Sequence, residues 1–264
     1  MLNNHSIISA KKKFGQNFLA DRIILSKIVD VAGDIENRNV LEVGAGLGAL
    51  TNEILLRSPK KFVSIEIDKD LYNILVEEIK SDNFQLINED ALKVDESKFF
   101  NGNINVIANL PYNVGTNLLI KWLENIELFD SFTLLLQKEV VDRIVANPYT
   151  KEYGRLSIIS QSLCNVKKAF DVKPSFFRPP PKVMSSVVYL SKKDNINLNI
   201  KKLSYITLKL FSQRRKKIKK IIDNMVFNKE LDESIYDVLD LNKRAEEISV
   251  KDYIDISNKV NIVK

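Results

Sequence analysis

The chain has 264 residues, of which 45% are hydrophobic and 28% charged, a composition typical of globular proteins with one or two domains. The formal net charge of +6 favours a polyanionic partner. No apolar run approaches the roughly 18 residues that span a bilayer, and Met1 to Lys13 shows no secretory signal, so we expect a cytoplasmic protein.

The histidine and cysteine contents narrow the possible chemistry. His5 is the only histidine and lies in a basic tail, residues 1–13, that we expect to be disordered. Catalysis by a histidine base and zinc sites built on histidine are therefore not expected, and no metal is predicted. The single cysteine, Cys164, excludes an internal disulfide and is predicted to be a small buried core residue.

The first ordered segments are predicted to be a loop and a helix. Gly15-Gln16-Asn17-Phe18-Leu19 is typical of a loop that offers side-chain amides. Asp21 is a suitable N-cap for a helix that runs to about Ala32 and ends at Gly33.

A strand, a glycine-rich loop and a helix come next. Asn39–Val43 is predicted to be the strand, Gly44-Ala45-Gly46-Leu47-Gly48 the loop and Ala49–Arg57 the helix. This order opens a nucleotide-binding βαβ unit. The G-x-G-x-G spacing differs from the G-x-G-x-x-G of a pyrophosphate-binding loop, which favours a nucleoside-type cofactor over NAD.

Acidic side chains follow the next two predicted strands. Phe62–Ile65 ends in Glu66, which can accept hydrogen bonds from both ribose hydroxyls, and Phe84–Ile87 is followed by Asp90, which can accept one from an adenine amine. Either acid taken alone could be only a charged residue in water at the end of a strand. Because both follow strands in register with the glycine loop, we expect them to bind a ligand at the same edge of the sheet.

The fourth strand, Ile104–Ala108, leads into Asn109-Leu110-Pro111-Tyr112. The Asn109 side-chain oxygen and the Leu110 carbonyl, which Pro111 holds in an extended segment, can both accept from one exocyclic amine. Tyr112 offers a face on which a base can stack. The alternative is a turn in which asparagine and proline are present for their backbone conformation and the tyrosine for packing.

The remaining elements of this domain complete a sheet. They are predicted, in order, as a strand Ser131–Leu136, a helix to about Ala146, a helix from Gly154 to Cys164, and strands Val166–Val172 and Met184–Leu190. Seven strands, mostly parallel and separated by helices, predict an α/β, doubly wound, Rossmann-like sheet. Before the last strand, Phe176–Val183 is a stiff proline-rich rim, in which Phe177 either packs in the core or stacks on a base.

The C-terminal part has a purely helical pattern. Lys192–Asn199 is a predicted linker, Leu203–Phe211 a helix, and Ser249 with Asp252 a capping pair before a last helix. In Arg214 to Lys220, six of seven residues are basic, which favours phosphate contact over a solvated face. We therefore predict two domains, residues 1–191 and a small helical RNA-binding domain over residues 200–264.

Motifs along nearly the whole chain carry a family resemblance. They are Gly15–Leu19, Glu42–Thr51, Glu66-Ile67-Asp68, Asp90-Ala91-Leu92, Asn109–Tyr112, Gln137–Val140, Tyr153–Leu156, Phe177–Val183 and Phe211–Lys216. In these motifs the chain resembles the bacterial small-subunit (16S) ribosomal RNA adenine N6,N6-dimethyltransferases, which use S-adenosylmethionine. Ala45 stands where the family often has proline, and Lys217 where it often has threonine. Neither departure removes a group that the mechanism needs.

The resemblance implies a role for each matching position. The cofactor contacts it implies are Asn17, Leu19, Gly44, Gly46, Glu66, Ile67, Asp90, Ala91 and Asn109. The target adenine would be held by Asn109, Leu110, Pro111, Tyr112 and Phe177, and the RNA by Arg214, Arg215, Lys216 and Lys217. The implied substrate is a pair of adjacent adenines in a hairpin loop near the 3′ end of small-subunit ribosomal RNA, on naked RNA or a part-assembled 30S subunit. A monomer is expected.

Three other functions compete with this interpretation. One is adenine methylation of large-subunit RNA, of the antibiotic-resistance type, or of DNA. The segments Phe177–Val183 and Ser212–Lys216 favour the small-subunit enzyme. The second is an NAD-dependent oxidoreductase, which the glycine spacing and Asn109–Tyr112 disfavour. The third is a ribosome-assembly factor that acts mainly by binding, which is compatible with catalysis.

Overall fold

A computed structural model describes Lys11 and residues 15–261. Most of the predicted N-terminal tail, residues 1–13, therefore lies outside the described residues. The strands are β1 (Phe18–Leu19), β2 (Asn39–Val43), β3 (Lys61–Ile65), β4 (Phe84–Ile87), β5 (Ile104–Asn109), β6 (Phe129–Gln137), β7 (Cys164–Val172), β8 (Phe177–Arg178) and β9 (Ser185–Lys192). The α-helices are α1 (Arg22–Val31), α2 (Ala49–Leu55), α3 (Lys69–Glu78), α4 (Gly115–Glu124), α5 (Lys138–Ile144), α6 (Arg155–Leu163), α7 (Ile200–Phe211), α8 (Lys219–Phe227) and α9 (Val250–Asn258).

Seven of the strands form one sheet in the order β4-β3-β2-β5-β6-β9-β7. The pairs β2–β3, β3–β4, β2–β5 and β5–β6 are parallel. This confirms the predicted seven-stranded, mostly parallel α/β sheet. The strand order reverses between β2 and β5, which is the topological switch point where open α/β sheets bind ligands.

The register aligns the carboxyl ends of three neighbouring strands. Val43 pairs with Ile65, and Ile65 pairs with Ile87. The alignment continues past the strands, because the Gly44 amide donates to the Ile65 carbonyl over 2.8 Å and the Glu66 amide to the Ile87 carbonyl over 2.9 Å. The glycine loop and the acidic strand ends therefore share one edge.

Buried apolar side chains explain why these segments fold as they do. Four of the six residues of strand β5 are apolar, and all but Asn109 are buried, as expected of a parallel strand covered on both faces. Helix α1 begins at Asp21, whose side chain accepts from the Ile24 amide over 3.0 Å, and its buried residues Leu25, Ile28 and Val29 recur at helical spacing.

One small sheet was not predicted. Strand β1 pairs antiparallel with β8, with Phe18 opposite Arg178 and Leu19 opposite Phe177. Each strand has two residues, too short for a sequence pattern to reveal. The pairing fixes the N-terminal segment beside the sheet edge.

The described chain divides into two compact units. The first comprises the described residues up to Val141 together with Lys168–Leu190, and the second Asp142–Lys167 with Ser191 onwards. The predicted domains, residues 1–191 and 200–264, differ from this division at residues 142–167. Within the second unit, α6 packs on α7 and α9, so this helix groups with the C-terminal helices.

The second unit has its own apolar core. Buried side chains from α7 and α9 include Leu203, Ile206 and Tyr253, and the Tyr253 hydroxyl donates to the Ala245 carbonyl over 2.9 Å. The predicted capping pair is present, since the Ser249 hydroxyl accepts from the Asp252 amide over 3.1 Å. Cys164 is buried as predicted. In the described part of the chain no helix is long and apolar enough to cross a membrane.

Candidate functional site

A cavity of about 810 Å³ lies at the carboxyl edge of the parallel strands. Its walls come from segments that follow β2, β3, β4 and β5 and from the N-terminal segment, namely Gly44–Leu47, Glu66-Ile67, Glu89–Leu92, Asn109–Val114 and Gly15–Ala20. The volume is within the range of small-molecule sites.

The cavity collects almost all the residues predicted for the site. All nine predicted cofactor contacts line it: Asn17, Leu19, Gly44, Gly46, Glu66, Ile67, Asp90, Ala91 and Asn109. Leu110, Pro111 and Tyr112 line it as well. The structure thus brings together residues that lie far apart in the chain, while their individual roles stay predictions.

The glycine loop approaches the N-terminal segment closely. Gly44 and Gly46 have φ angles of +81° and +59°, which glycine adopts without steric cost. A Cβ atom on Gly46 would lie 3.1 Å from the Phe18 ring. A side chain at this position would therefore be strained and would push against the cavity wall.

Glu66 braces the loop with its carboxylate. Its Oε2 accepts from the Gly46 amide over 2.9 Å and its Oε1 from the Asp68 amide over 2.8 Å. The side chain is buried, and this burial raises its pKa above the usual range. Each oxygen retains a second lone pair for a ligand hydroxyl.

Apolar side chains and a carboxylate line another part of the cavity wall, after β3 and β4. Ile67 is 46% exposed and Leu92 37% exposed, although both are large and hydrophobic. Asp90 accepts from the Leu92 amide through Oδ1 over 3.0 Å, which leaves Oδ2 for a donor such as a ring amine. Two apolar surfaces and an acceptor suit a flat base such as adenine.

Lys121 holds the segment after β4 in place. Its ammonium group donates to the carbonyls of Ala91 and Val94 and lies 2.8 Å from Oε1 of the buried Glu96. The indole of Trp122 donates to the same Glu96 oxygen over 2.8 Å. The segment after β4 is therefore fixed by helix α4.

Asn109 is the last residue of β5 and lines the cavity. Its Nδ2 donates to the Asn17 carbonyl over 3.4 Å. The contact orients the amide, so that Oδ1 remains as an acceptor. Leu110 is buried, and its amide donates to the Leu135 carbonyl over 3.2 Å, which fixes the backbone that carries the second predicted acceptor.

Tyr112 is half-buried, and its hydroxyl lies 2.6 Å from the Ser185 hydroxyl. Ser185 is completely buried at the start of β9. Burial raises the pKa of Tyr112, while the hydrogen bond with Ser185 lowers it by less. Tyr112 therefore stays a neutral phenol at physiological pH, and its hydroxyl is tied to Ser185 at the start of β9.

Comparison with known proteins identifies the family. A family model described as ribosomal RNA adenine dimethylase matches residues 7–261. The chain belongs to this family. It is a methyltransferase with S-adenosylmethionine as its methyl donor.

Relatives of this dimethylase agree with the assignment. The chain is 41% identical to a ribosomal RNA small subunit methyltransferase A from Wolbachia sp. subsp. Drosophila simulans over 96% of this chain and 94% of the relative. It is 42% identical to the protein of that name from Ehrlichia chaffeensis over 98% and 100%, and 43% identical to the one from Pelagibacter ubique over 94% and 98%.

Solved structures match the fold. A dimethyladenosine transferase from Plasmodium falciparum superposes with a TM-score of 0.76 at 29% identity, over 90% of this chain and 95% of that one. The 23S rRNA methyltransferase ErmE superposes with a TM-score of 0.71 at 21% identity over 93% and 100%. At that lower identity the second match supports the fold alone.

The cavity of this dimethylase fits S-adenosylmethionine. The positive-φ glycines let the backbone approach a ligand, and Glu66 presents carboxylate oxygens beside them. The exposed apolar surfaces of Ile67 and Leu92, together with Asp90, suit the adenine ring. Residues 11 and 15–261 contain no group of three or more histidine, cysteine, aspartate or glutamate side chains placed to hold a metal ion.

Phe177 does not line the cavity, unlike the other residues predicted to hold the adenine. Its side chain is completely buried and packs in the apolar core with Leu19, Ile28 and Val172. Stacking on a base would require the ring to leave this core. In this structure Phe177 instead anchors Leu19, which is its partner in the two-stranded sheet and lines the cavity.

The predicted RNA contacts lie in the second unit and differ in their exposure and in their hydrogen bonds within the protein. Arg214 donates from Nε to Glu246 Oε2 over 2.6 Å and from Nη2 to the Lys151 carbonyl over 2.6 Å. Arg215 and Lys216 are exposed, and the Lys217 ammonium group lies 3.1 Å from Asn242 Oδ1. Arg214 thus has structural partners, while Arg215 and Lys216 face solvent.

A set of polar contacts that holds the N-terminal segment to the start of α3 was missed from the sequence. The Lys11 ammonium group lies 2.7 Å from Asp68 Oδ1 and 2.6 Å from Asp70 Oδ2, and Gln16 Nε2 donates to Asp68 Oδ2 over 3.0 Å. Burial opposes ionisation of Asp68, but the bonds from Lys11 and Gln16 outweigh it and lower the pKa of Asp68. No local pattern predicts this contact, because its partners are more than fifty residues apart.

Proposed function

We propose that this dimethylase transfers methyl groups from S-adenosylmethionine to the exocyclic N6 of two adjacent adenines in small-subunit ribosomal RNA. One observation carries the proposal: Asn109–Tyr112 and the cofactor-binding edge, Gly44–Leu47 with Glu66 and Asp90, line one continuous cavity. A methyl donor and a target amine can therefore meet without crossing solvent.

S-adenosylmethionine, when bound, supplies an electrophilic methyl group on a sulfonium centre. Glu66 accepts hydrogen bonds from the ribose hydroxyls, and Asp90 accepts one from the cofactor's adenine amine. The glycine loop allows close approach of the backbone, and the segment Asn17–Leu19 covers the cofactor. These roles are supported by the place of each residue on the cavity wall.

Asn109 and Leu110 hold the target amine. An adenine amine is a poor nucleophile because its lone pair is delocalised into the ring. Hydrogen bonds from its two N–H groups to Asn109 Oδ1 and the Leu110 carbonyl place the nitrogen and favour a more tetrahedral geometry. The Asn109 amide is already oriented by the Asn17 carbonyl, and the Leu110 backbone by β6, so these acceptors need little rearrangement.

No side chain has to act as a base in this reaction. The methylated amine is transiently cationic and acidic enough to lose a proton to water. Burial keeps Tyr112 protonated, which leaves its ring for stacking on the target base, held by Ser185. For the second transfer, the monomethylated amine still has one N–H to donate.

The target adenines must lie outside a base stack to enter the cavity. An unpaired hairpin loop presents such bases at the least cost. We place the two adenines in a loop near the 3′ end of the small-subunit RNA, and we propose a monomer that acts in the cytoplasm on a part-assembled 30S subunit. The names of the relatives at 41–43% identity support the small subunit over the large one.

A substrate panel tests this proposal. The protein and labelled S-adenosylmethionine are incubated in separate reactions with small subunits lacking this modification, with large-subunit RNA and with DNA. The digested products are identified by mass spectrometry. Dimethyladenosine in the small-subunit sample alone is expected. Transfer to large-subunit RNA or DNA instead would refute the assigned substrate. Binding of the cofactor with no transfer to any substrate would favour a role in assembly by binding.

A further inference from the structure

The second unit carries an exposed aromatic side chain in an unfavourable backbone position. In the turn Asn147-Pro148-Tyr149-Thr150, the Thr150 amide donates to the Asn147 carbonyl over 3.3 Å. Tyr149 has a φ angle of +69°, and its side chain is 70% exposed. Proline followed by a residue with positive φ is the pattern of a type II turn, whose third position favours glycine or asparagine. Neither the turn nor the core explains a tyrosine here.

The turn is held firmly despite its exposure. The Tyr149 amide donates to the Glu246 carbonyl over 2.9 Å. Arg214 pairs with the Glu246 carboxylate over 2.6 Å and also donates to the carbonyls of Thr150 and Lys151 over 3.2 Å and 2.6 Å. The ring of Tyr149 therefore projects from a fixed base.

The ring borders a basic groove of about 780 Å³. Among the described residues that line this groove, Glu246 is the only acidic one, and Arg214 neutralises it. Four further cationic side chains from the described part of the chain line the groove, and all are exposed: Lys151, Arg215, Lys216 and Arg244. The groove therefore has a net positive charge beside an exposed aromatic face.

We propose that Tyr149 is a stacking platform for an unpaired base of the RNA substrate, and that the four cations contact the phosphates on either side of it. An aromatic face beside a positively charged groove is the combination that binds single-stranded nucleic acid. A duplex would present only base edges and backbone to the ring. The proposal rests on the proposed function, since it assigns a second contact to the same substrate.

Two substitutions separate stacking from structure. Tyr149→Asn removes the ring and supplies a residue that tolerates positive φ, whereas Tyr149→Phe keeps the ring. Affinity for unmethylated small subunits and the melting temperature are measured for both full-length variants. Tyr149→Asn should melt no lower than the parent chain but bind about 5- to 150-fold more weakly, the range that one base–aromatic stack represents. Tyr149→Phe should bind like the parent.

Salt dependence supplies a second readout. Because the ring is uncharged, Tyr149→Asn should leave the slope of log affinity against log salt unchanged. Lys216→Ala should lower the magnitude of that slope by about 0.7, the value for one phosphate contact to a single strand. As a matched control, Tyr236→Asn changes a tyrosine of the same unit that is 43% exposed and does not line the groove, and it should leave the affinity unchanged.

The outcomes distinguish this proposal from the proposed function. Unchanged affinity of Tyr149→Asn for the small subunit would overturn stacking, even if the parent chain methylates the subunit normally. Equal losses in Tyr149→Asn and Tyr149→Phe would assign the contact to the hydroxyl and also overturn stacking. If the parent chain neither binds nor methylates the small subunit, the proposed function fails, and this inference fails with it.

Discussion

Asn109→Ala tests the mechanism most sharply among single substitutions. It removes Oδ1, the acceptor assigned to the target amine, and the 3.4 Å contact from Nδ2 to the Asn17 carbonyl. That contact is long for a hydrogen bond, so its loss should cost no more than about 0.5 kcal/mol of folding stability. An oriented group that acts in the transition state is worth about 2.7–4 kcal/mol. We therefore expect kcat to fall by about 10²- to 10³-fold in a chain that remains folded.

Single-turnover methyl transfer to unmethylated small subunits measures this effect, with thermal melting and RNA affinity recorded on the same samples. Asn105→Ala is a matched control, because Asn105 lies on the same strand at its opposite end. The Asn105 side chain is bonded more firmly, since its Oδ1 accepts from Ser131 Oγ over 2.8 Å. The control should lose more stability and little activity. A kcat for Asn109→Ala within about three-fold of the parent, well short of the loss expected for such a group, would refute the assigned role.

Three further results are expected. Ser185→Ala and Tyr112→Phe each break the 2.6 Å hydroxyl contact, so each should lower kcat, and the double variant should lose little more than either alone; additive losses in kinetic assays would contradict a shared role. Burial raises the pKa of Glu42 from 4.5 to about 7, so the folded chain holds this proton more tightly than the unfolded chain. The resulting contribution to the free energy of unfolding is fully present below pH 4.5 and falls by about 3 kcal/mol as the pH rises through 7. Denaturant melts across pH 4–8 should therefore show a smaller decline for Glu42→Gln than for the parent, and equal declines would contradict this. Arg214→Ala should lower the melting temperature, whereas Arg215→Ala should leave melting unchanged and weaken RNA binding; the reverse pattern would show that Arg214 is the RNA contact.

Local patterns predicted the sheet and most of the cavity wall. Buried parallel strands are short apolar runs in the sequence. The predicted bounds of the strands Asn39–Val43 and Ile104–Asn109 therefore agree with the structure to within one residue. The residues that follow such strands must meet at one edge, which is why Glu66 and Asp90 were assigned to the same site as Asn109. This inference needs only the parallel direction of the strands, which follows from the βαβ pattern.

Contacts between distant segments could not be predicted in the same way. The contact from Lys11 to Asp68 and the hydroxyl pair of Tyr112 and Ser185 join residues 57 and 73 positions apart. Phe177 was ambiguous because a phenylalanine beside prolines suits both a core and a stacking site. In this structure Phe177 pairs with β1 and is completely buried, and no local pattern contained either feature.

The central claim is that one cavity holds both the methyl donor and the target amine. A crystal structure with a bisubstrate analogue, in which an adenosine N6 is linked to the S-adenosylmethionine skeleton, tests it most directly. We predict the cofactor half against Glu66 and Asp90, and the linked nitrogen within about 2.7–3.2 Å of Asn109 Oδ1 and the Leu110 carbonyl. The target ring should stack on Tyr112. An ordered cofactor half with the target adenine bound away from Asn109–Tyr112 would contradict the account.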